Sequence, residues 1–456
     1  MAGELWVWMN GQHVGVWSQS SNKVSVFQYA ATWAQSPAAR ALSLSMPMTA
    51  GNAEVRGPVV ENYFDNLLPD SQTIRDRIRA RFRTSSTQAF ELLTAIGRDC
   101  VGAVQLLPPG IEPNGWDRVD SEPMAPAQVA AQLRAASTGI SMGQQPDRGQ
   151  DFRISIAGAQ EKTALLKFGG RWRRPLGSTP TTHILKLPLG LIGNMRMDMQ
   201  DSVENEWLCS KILRALGFNV ANTDMHVFED QKALVVERFD RRWQNIQPDA
   251  QNKRGFTPDS SNWIARLPQE DFCQIAGVAS SQKYEAYGGP GIGDGLRYLA
   301  GSQSADDDRA SFVLAQLAFW LLAATDGHAK NFSVFLERGT HYRMTPLYDV
   351  LSMWPIIGKG ADKLAQQDAK LAMALHAKNV HYKLNDIRLR HWNSLAQTSG
   401  VEGLWDRMIA LVHSIDKALT TVEAQLPATF PAAIWEKVSS GTLKQAAQFV
   451  REERAD

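Results

Sequence analysis

The sequence has few cysteines, almost no net charge and no long apolar run. Cys100, Cys209 and Cys273 are its three cysteines. Their odd number and their lack of C-x-x-C spacing argue against a disulfide framework and against a zinc site. The 48 Lys and Arg residues nearly balance the 47 Asp and Glu residues, which leaves a formal charge of +1. No overall field therefore marks the chain for nucleic acid or for a membrane surface.

The sequence also predicts neither a targeting segment nor a membrane-spanning segment. Residues 1–10 contain neither a basic region nor an apolar segment of the kind a secretory signal requires. The most apolar run, residues 312–325, is interrupted by Gln316 and is shorter than the roughly 20 residues that a bilayer span requires. We expect this run to form a buried helix and the protein to be cytoplasmic, with no membrane association.

The 456 residues are enough for two or three domains, and a hydrophobic content of 44% with 21% charged residues is typical of a globular protein. Composition and pattern predict an α+β chain with four parts. These are a mixed α/β N-terminal domain at 1–107, a linker region at 108–150 with a short helix near 127–136, a small sheet-bearing lobe at 151–240, and a mostly helical lobe at 241–456.

The third part has the pattern of a hairpin followed by a further strand and a helix. Strands are predicted at 163–168, 171–173 and 182–187, and a helix over 202–216 that ends at Gly217. Further strands are predicted at 225–228 and 233–239. In the last part, one long apolar stripe is formed by Leu404, Met408, Leu411, Ile415, Leu419 and Val422.

The segment Thr325–Asn331 (TDGHAKN) carries the strongest chemical signal. It follows the helix predicted over 311–324 and precedes a strand predicted over 332–336. Asp326 and Asn331 lie five residues apart, the spacing at which protein kinases place a catalytic base and a magnesium ligand. Asp349 follows at the end of a further predicted strand. One Asp and one Asn, together with ATP oxygens and water, form a sufficient set of magnesium ligands.

Upstream features fit the same chemistry less sharply. The loop 155–162 (SIAGAQEK) is rich in small residues and is suited to backbone contacts with a triphosphate, although an ordinary hairpin turn is the simpler interpretation of the loop alone. Lys186 is placed to neutralise phosphates and Glu206 to orient Lys186. A solvated lysine and an unrelated surface glutamate are equally acceptable for this pair by itself. Glu237–Phe239 stands where a hinge would meet adenine, and simple packing between the lobes is the alternative interpretation of this segment.

Several segments taken together resemble the HipA serine/threonine kinase toxins. In the second and third thirds of the chain they are SIAGAQEK (155–162), THILKLP (182–188), VERFDRRW (236–243), LPQEDFCQ (267–274), GGPGI (288–292) and TDGHAKN (325–331). In the N-terminal third they are ENYFDNLLPD (61–70) and IGRDCVGAV (96–104). The resemblance therefore covers nearly the whole chain.

The resemblance implies a bilobal fold related to protein kinases and to PI3/4-kinases, with an extra N-terminal domain, and it implies ATP and Mg²⁺ as ligands. It makes Asp326 the catalytic base and Asn331 and Asp349 the metal ligands. His328 is expected to be a structural histidine beside Asp326. The full set of nucleotide-binding residues implied is Ala157, Gly158, Ala159, Gln160, Glu161, Lys162, Lys186, Glu237, Arg238, Phe239, His328, Lys330, Asn331 and Asp349.

The resemblance further implies regulation and partners. Ser155 would be autophosphorylated, after which its loop leaves the ATP site. A phosphoserine carries about −1.5 to −2 charges and should not share a pocket with ATP phosphates. Glutamate-tRNA ligase is the implied substrate, and a HipB-type helix-turn-helix antitoxin that binds operator DNA is the implied partner. The arginines at 75, 77, 79, 81 and 83 could face DNA or an acidic partner, although a solvated surface is the simpler interpretation.

Two other functions remain open at this point. One is an ATP phosphotransferase that acts on a small molecule, since such enzymes share the spacing of Asp326, Asn331 and Asp349. The other is a non-enzymatic module that bridges antitoxin dimers on DNA. The presence of all three residues together with Lys186 speaks against the second function.

Overall fold

A computed structural model describes residues 3–138, 155–158, 160–193, 197–245 and 261–455. Its strands are β1 (Gly3–Met9), β2 (Gln12–Gln19), β3 (Ser25–Tyr29), β4 (Val55–Arg56), β5 (Val104–Leu107), β6 (Ser121–Pro123), β7 (Lys162–Phe168), β8 (Arg171–Pro175), β9 (His183–Lys186), β10 (Gly190–Ile192), β11 (Met197–Met199), β12 (Thr223–Phe228), β13 (Gln231–Glu237), β14 (Arg241–Gln244), β15 (Trp263–Arg266), β16 (Gln269–Asp271), β17 (Ser333–Leu336), β18 (Tyr342–Met344), β19 (Lys370–His376) and β20 (Val380–Lys383).

The helices are α1 (Ala31–Ala34), α2 (Pro58–Asp65), α3 (Gln72–Phe82), α4 (Ala89–Ile96), α5 (Pro126–Thr138), α6 (Ser202–Ala215), α7 (Phe272–Ala276), α8 (Ile292–Leu299), α9 (Ala305–Leu322), α10 (Leu389–Thr398), α11 (Leu404–His413), α12 (Ile415–Glu423) and α13 (Ala432–Glu453). The chain divides into two compact units. The first unit comprises residues 1–187, 226–281 and 334–342, and the second comprises 188–225, 282–333 and 343–456.

The N-terminal part of the first unit is built on a five-stranded sheet in the order β4-β3-β2-β1-β5, with every neighbouring pair antiparallel. Asn10 and Gly11 both have positive φ, 46° and 77°, and turn the chain between β1 and β2. Helices α2 and α4 cover the buried face of the sheet, where the Trp17 ring stacks on Phe64 with centroids 4.0 Å apart. Apolar and polar residues alternate along these strands, and the apolar ones thus form a separate hydrophobic core for this sheet.

A second, six-stranded sheet in the first unit has the order β12-β13-β9-β7-β8-β6. Gly169 and Gly170, with φ of 58° and 71°, make the predicted hairpin turn between β7 and β8. Helix α5 packs its Val129 and Leu133 against Leu165 of β7. Residues 108–150, interpreted from composition as a linker region, therefore contribute β6 and α5 to this sheet and its cover, and the helix predicted near 127–136 is confirmed as α5.

A buried ionic network joins the N-terminal part of the first unit to the residues that follow β13 and to the two-stranded sheet of β14 and β15. The Asp99 carboxylate accepts hydrogen bonds from Arg241 at 2.9 Å and from Arg238 and Arg266 at 3.3 Å. Arg238 also donates to Asp240, at 2.7 Å. Burial alone would raise the pKa of Asp99, but the three guanidinium groups hold that pKa well below its usual value. Three guanidinium groups against two carboxylates leave one excess positive charge in the interior.

The second unit is organised around α9, whose residues from Phe312 to Leu322 are all buried. Helices α8, α11 and α13 pack against it. The residues of the predicted stripe at 404–422 are buried as expected. They lie on two helices, α11 and α12, which are separated at Ser414. In the part of the chain that the structure describes, no helix is both long enough and apolar enough to span a bilayer.

Candidate active site

The segment that carries Asp326 is set by the end of α9. Ala323 adopts the left-handed conformation with φ of 49°, and the Ala324 amide donates to the Phe319 carbonyl at 2.8 Å, which ends the helix. Gly327 then passes so close to Phe319 that an added Cβ would lie 2.4 Å from the ring. Glycine is therefore required beside Asp326 for the loop to lie on the helix.

Asp326 projects from this loop with its side chain 63% exposed. The Tyr284 hydroxyl donates a hydrogen bond to Asp326 Oδ1 at 2.5 Å. His328 is buried, and its Nε2 lies 4.0 Å from Asp326 Oδ2. The rings of His328 and Tyr284 are nearly perpendicular to each other, with centroids 5.1 Å apart. The candidate base is thus open to solvent on one side and bordered by these two rings on the other.

Asn331 and Asp349, the predicted metal ligands, are in contact. The Asn331 side-chain amide donates to the Asp349 backbone carbonyl at 3.1 Å. This bond assigns the Asn331 nitrogen, and within the described residues the buried Oδ1 of Asn331 has no hydrogen-bond partner. Asp349 has φ of 60°, a left-handed backbone conformation that is uncommon outside glycine and costs free energy. The unpaired Asn331 oxygen and the strained Asp349 backbone lie beside each other, and features of this kind are found at ligand-binding sites.

The backbone around this pair is fixed by side-chain hydrogen bonds, and Asp349 lies beyond the end of β18 at Met344 and not at a strand end as predicted. The Tyr348 hydroxyl donates to the carbonyl of Lys330, which is itself buried, at 2.8 Å, and it also lies 2.5 Å from Ser333 Oγ. On the other side of Asp349, the Ser352 amide donates to Asn205 Oδ1 of α6 at 2.9 Å. Residues on both sides of Asp349 are therefore anchored, which supports its strained backbone.

A magnesium ion fits the chemistry of this pair. Mg²⁺ prefers oxygen donors and retains several waters or phosphate oxygens, so one amide oxygen and one carboxylate from the protein suffice. No three His, Cys, Asp or Glu side chains within the described residues could hold a metal among themselves. Any cation held by Asn331 and Asp349 would therefore need further oxygens from a bound nucleotide or from water.

Two lysines of the first unit lie side by side next to the loop predicted to bind phosphate. Lys162 on β7 and Lys186 on β9 are directly opposed across the antiparallel pair, so their side chains share one face of the sheet. A Cβ added to Gly158, where φ is 107°, would lie 2.5 Å from Lys162 Nζ. The loop therefore runs against the Lys162 ammonium group, and two neighbouring cations favour an anionic ligand such as a phosphate.

The same loop is held by the N-terminal part of the chain. Ser155 is fully buried, donates its hydroxyl hydrogen to the Leu67 carbonyl at 2.7 Å and donates its amide hydrogen to the Asp99 carbonyl at 3.2 Å. The Asp70 amide donates to the Gly158 carbonyl at 3.1 Å.

Two side-chain contacts also attach the loop. Glu161 forms an ion pair with Arg77 of α3, and the Gln160 side chain donates to the Leu187 carbonyl at 2.5 Å. Ala157 lies in the described loop, half-buried, whereas Ala159 falls outside the described residues. Of the predicted arginine cluster, Arg75 is buried in a pair with Asp65, and the remaining members, Arg79, Arg81 and Arg83, are exposed.

The predicted hinge follows β13. Glu237 is exposed, and Phe239 packs edge-on against Phe335, with ring centroids 5.8 Å apart. Arg238 donates its amide hydrogen to the Thr182 carbonyl at 2.9 Å, and its side chain belongs to the buried ionic network. The Arg238 carbonyl accepts a hydrogen bond from the Arg241 amide at 3.2 Å, so a nucleotide could use only the second lone pair of that oxygen. Glu206 is buried on α6 in the second unit, whereas Lys186 is buried in the first.

Two features of the site were missed from the sequence. Tyr284 contacts Asp326 from 42 positions away, and no periodicity links the two residues. The only available signal was its place in Lys-Tyr-Glu shortly before the GGPGI segment. The anchoring of the phosphate loop by Leu67, Asp70 and Arg77 was missed as well, although the ENYFDNLLPD segment that contains Leu67 and Asp70 had been singled out.

Comparisons with known proteins agree with this architecture over nearly the whole chain. Residues 5–107 match the model of the HipA N-terminal domain, and residues 154–426 match that of the HipA-like C-terminal domain. The chain is 30% identical over 403 residues to Y4mE of Sinorhizobium fredii, a protein named as a kinase, covering 87% of this chain and 85% of that one. It is 28% identical over 330 residues to the serine/threonine-protein kinase toxin HipA of Shewanella oneidensis, covering 69% of this chain and 66% of that one.

A solved structure shows the same fold. HipA in the Shewanella oneidensis complex of HipA, HipB and operator DNA superposes with a TM-score of 0.76 at 23% identity, covering 98% of this chain and 97% of that one. The α+β, kinase-like fold with an extra N-terminal domain is thereby confirmed. The two named relatives confirm the prediction that the chain is an enzyme, a serine/threonine protein kinase. More narrowly, the chain belongs to the HipA family of kinase toxins.

Proposed function

We propose that the chain is the toxin of a toxin–antitoxin pair and transfers the γ-phosphoryl group of ATP to a protein serine with the help of Mg²⁺. The observation that carries the catalytic part is the contact of Asp349 with Asn331, which lies on the same loop as Asp326. That loop presents a base and one oxygen ligand, and Asp349, from a later part of the chain, lies beside this ligand. Protein kinases need these elements in this order along the chain.

Asp326 acts in this proposal on the acceptor hydroxyl. Its exposed carboxylate accepts the serine proton while the serine oxygen forms a bond to the γ-phosphorus, and the bond from that phosphorus to the β–γ bridging oxygen breaks to release ADP. Asn331 Oδ1 and the Asp349 carboxylate would hold Mg²⁺, which neutralises charge on the phosphate oxygens when it is bound.

Lys162, Lys186 and the backbone of residues 157–162 bind the phosphates of ATP in the same proposal. The support is electrostatic, since two lysines stand side by side at one end of the loop. Glu237, Phe239 and the carbonyl of Arg238 offer groups to the adenine. Glu206 supports Lys186 as a positioning residue, and His328 and Lys330 complete the nucleotide-binding set through the shape of the catalytic loop.

We assign glutamate-tRNA ligase as the protein substrate, a HipB-type antitoxin as the partner, and operator DNA as a ligand bound mainly through that antitoxin. Family membership supports these assignments, and the related Shewanella protein forms a complex with HipB and operator DNA. Phosphorylation of the ligase would stop charging of its tRNA and so inhibit translation. Autophosphorylation at Ser155 would switch the kinase off.

The test is the intact mass of the chain and of glutamate-tRNA ligase after incubation with ATP and Mg²⁺. The wild type should add about 80 Da, one phosphoryl group, to the ligase or to itself. Asp326→Asn should slow this gain by about 10² to 10⁴-fold, the usual contribution of a general base. Asp406→Asn replaces an exposed carboxylate on α11 and serves as the control with unchanged rate.

The outcomes separate the parts of the proposal. Transfer to the chain but not to the ligase overturns the substrate and leaves the kinase chemistry standing. Bound ATP without any transfer overturns the kinase chemistry in favour of a bridging module. Phosphorylation of a small hydroxyl compound, with no protein modified, overturns the protein acceptor.

A further inference from the structure

The segment Lys283–Tyr287 is attached directly to the catalytic loop. The Ala329 amide donates to the Lys283 carbonyl at 3.2 Å, so the backbones of the two segments are hydrogen-bonded. The next residue, Tyr284, reaches over His328 edge-on and donates its hydroxyl hydrogen to Asp326 Oδ1 at 2.5 Å. The segment is thus linked to the catalytic loop through both its backbone and the Tyr284 side chain. Tyr284 is not among the site residues that the family resemblance implies.

The position of Tyr284 is itself fixed by its neighbours. The Glu285 carboxylate accepts a hydrogen bond from the Ala374 amide of β19 at 2.6 Å and lies 2.5 Å from His376 Nε2. The amides of Tyr287 and Gly289 both donate to the Tyr284 carbonyl, at 3.0 and 3.1 Å. Tyr284 therefore sits on a tight turn tied to a strand, and its ring has a defined location.

The Asp326 side chain, in contrast, is not held in place by packing. With 63% of its side chain exposed, the carboxylate has few steric barriers to rotation about χ1. The 4.0 Å separation between His328 Nε2 and Oδ2 is too long for a hydrogen bond. The bond from Tyr284 supplies a directional restraint on one oxygen, Oδ1, and leaves Oδ2 available to a second donor.

We propose that Tyr284 is a positioning residue for the catalytic base, and that it holds Oδ1 of Asp326 so that Oδ2 faces the acceptor serine hydroxyl. The inference rests on the proposed kinase chemistry and adds a residue to it. A general base must lie within hydrogen-bonding reach of the proton that it removes, and loss of orientation lowers the rate without weakening nucleotide binding. Tyr284 acts through Asp326 and needs no contact with ATP.

The experiment compares Tyr284→Phe with Tyr287→Phe in the full-length chain. The first substitution removes the oxygen that binds Asp326 and keeps the ring against His328. The second removes a hydroxyl from an exposed ring, 68% accessible, three residues further on.

ADP formation is measured against Mg-ATP concentration with glutamate-tRNA ligase present. We expect kcat of Tyr284→Phe to fall about tenfold, the effect of losing a hydrogen bond to a charged group, with KM for ATP unchanged. Tyr287→Phe should match the wild type.

A double-variant comparison distinguishes positioning from general support of the fold. In the Asp326→Asn background, Tyr284→Phe should cause little further loss, because the group that it orients is gone. Three results would each overturn the inference while the kinase assignment stands. They are an undiminished loss of kcat from Tyr284→Phe in the Asp326→Asn background, a fall in the ATP affinity of Tyr284→Phe equal to its fall in kcat, and a wild-type kcat in Tyr284→Phe. A wild type that forms no ADP and modifies no protein overturns the proposed function, and this inference with it.

Discussion

Glu270 is a buried acid whose surroundings favour its neutral form. Burial raises its pKa to about 8, even though the Ser43 hydroxyl and the Leu44 amide both donate hydrogen bonds to its carboxyl group. In the unfolded chain the same group has an ordinary pKa of 4.5. Between pH 4.5 and about 8 the folded chain therefore retains a proton that the unfolded chain has lost.

This difference predicts a pH-dependent stability. Since the unfolded chain binds fewer protons in that window, the free energy of unfolding should fall as the pH rises through it. Glu270→Gln keeps a neutral side chain of the same shape and should remove this contribution. We expect the melting temperature of the wild type to fall more than that of Glu270→Gln between about pH 5 and about pH 9. Parallel curves for the two proteins would exclude Glu270 as the source.

At the scale of single residues, the Asp-to-Asn spacing was informative because local chain geometry places both side chains on one short loop. Tyr284 could not be predicted in this way. Its contact with Asp326 depends on a turn held by β19, and strand pairings that distant leave no mark in the local pattern. Likewise, the left-handed backbone of Asp349 follows from hydrogen bonds on both sides of it, which only the folded chain brings together.

Among the elements, α3 and the phosphate loop make a contact that bears on Ser155. Ser155 is fully buried, so the proposed phosphorylation of its hydroxyl would require the loop to leave its contacts with the N-terminal part. The Arg77–Glu161 ion pair is one of these contacts, with about a third of each side chain exposed, 32% and 28%. A pair this exposed stabilises the closed loop by about 1 kcal/mol at most.

Arg77→Ala should therefore speed phosphorylation of Ser155 by at most about fivefold, because the open loop becomes more populated. Arg79→Ala, which removes an exposed arginine from the same helix, controls for the loss of charge and should leave the rate unchanged. The measurement is the time course of phosphate at Ser155, followed by peptide mass spectrometry with Mg-ATP. Equal acceleration by both variants would point to net charge rather than to this contact.

The elements themselves were predicted unevenly. The β7–β8 hairpin, α6 and the buried α9 were predictable because turn glycines, helix stops and an apolar run mark them locally. The break between α11 and α12 was not, since Ser414 is no helix breaker and the apolar spacing continues through it. The part played by residues 108–150 was also missed, because a composition rich in Pro and Gly conceals a strand, β6, that only its pairing with β8 defines.

For the whole molecule, the ionic network around Asp99 makes the N-terminal part and the segment from the end of β13 through β14 and β15 interdependent. Asp99 compensates guanidinium groups that lie about 140 positions away along the chain, so sequence patterns gave no hint of it. Asp99→Asn would leave buried positive charge without a partner, a change that typically costs about 3 to 5 kcal/mol. We expect a clearly lower urea midpoint, measured by circular dichroism.

Asp120→Asn is the matched control for Asp99→Asn. It removes a carboxylate from a pair with Arg118 in which both side chains are exposed, 46% and 61%, so the midpoint should hardly move. A shift for Asp99→Asn no larger than the shift for Asp120→Asn would show that the network contributes little to stability.

The left-handed backbone of Asp349 also limits how the position can vary in evolution. Glycine, asparagine and aspartate adopt φ of 60° most readily, whereas β-branched or bulky residues there would strain the chain. A descendant that gives up phosphoryl transfer but keeps its fold, for example to serve only as a repressor, should therefore carry asparagine or glycine at this position. Among related genomes, those two residues would mark kinases that have become scaffolds.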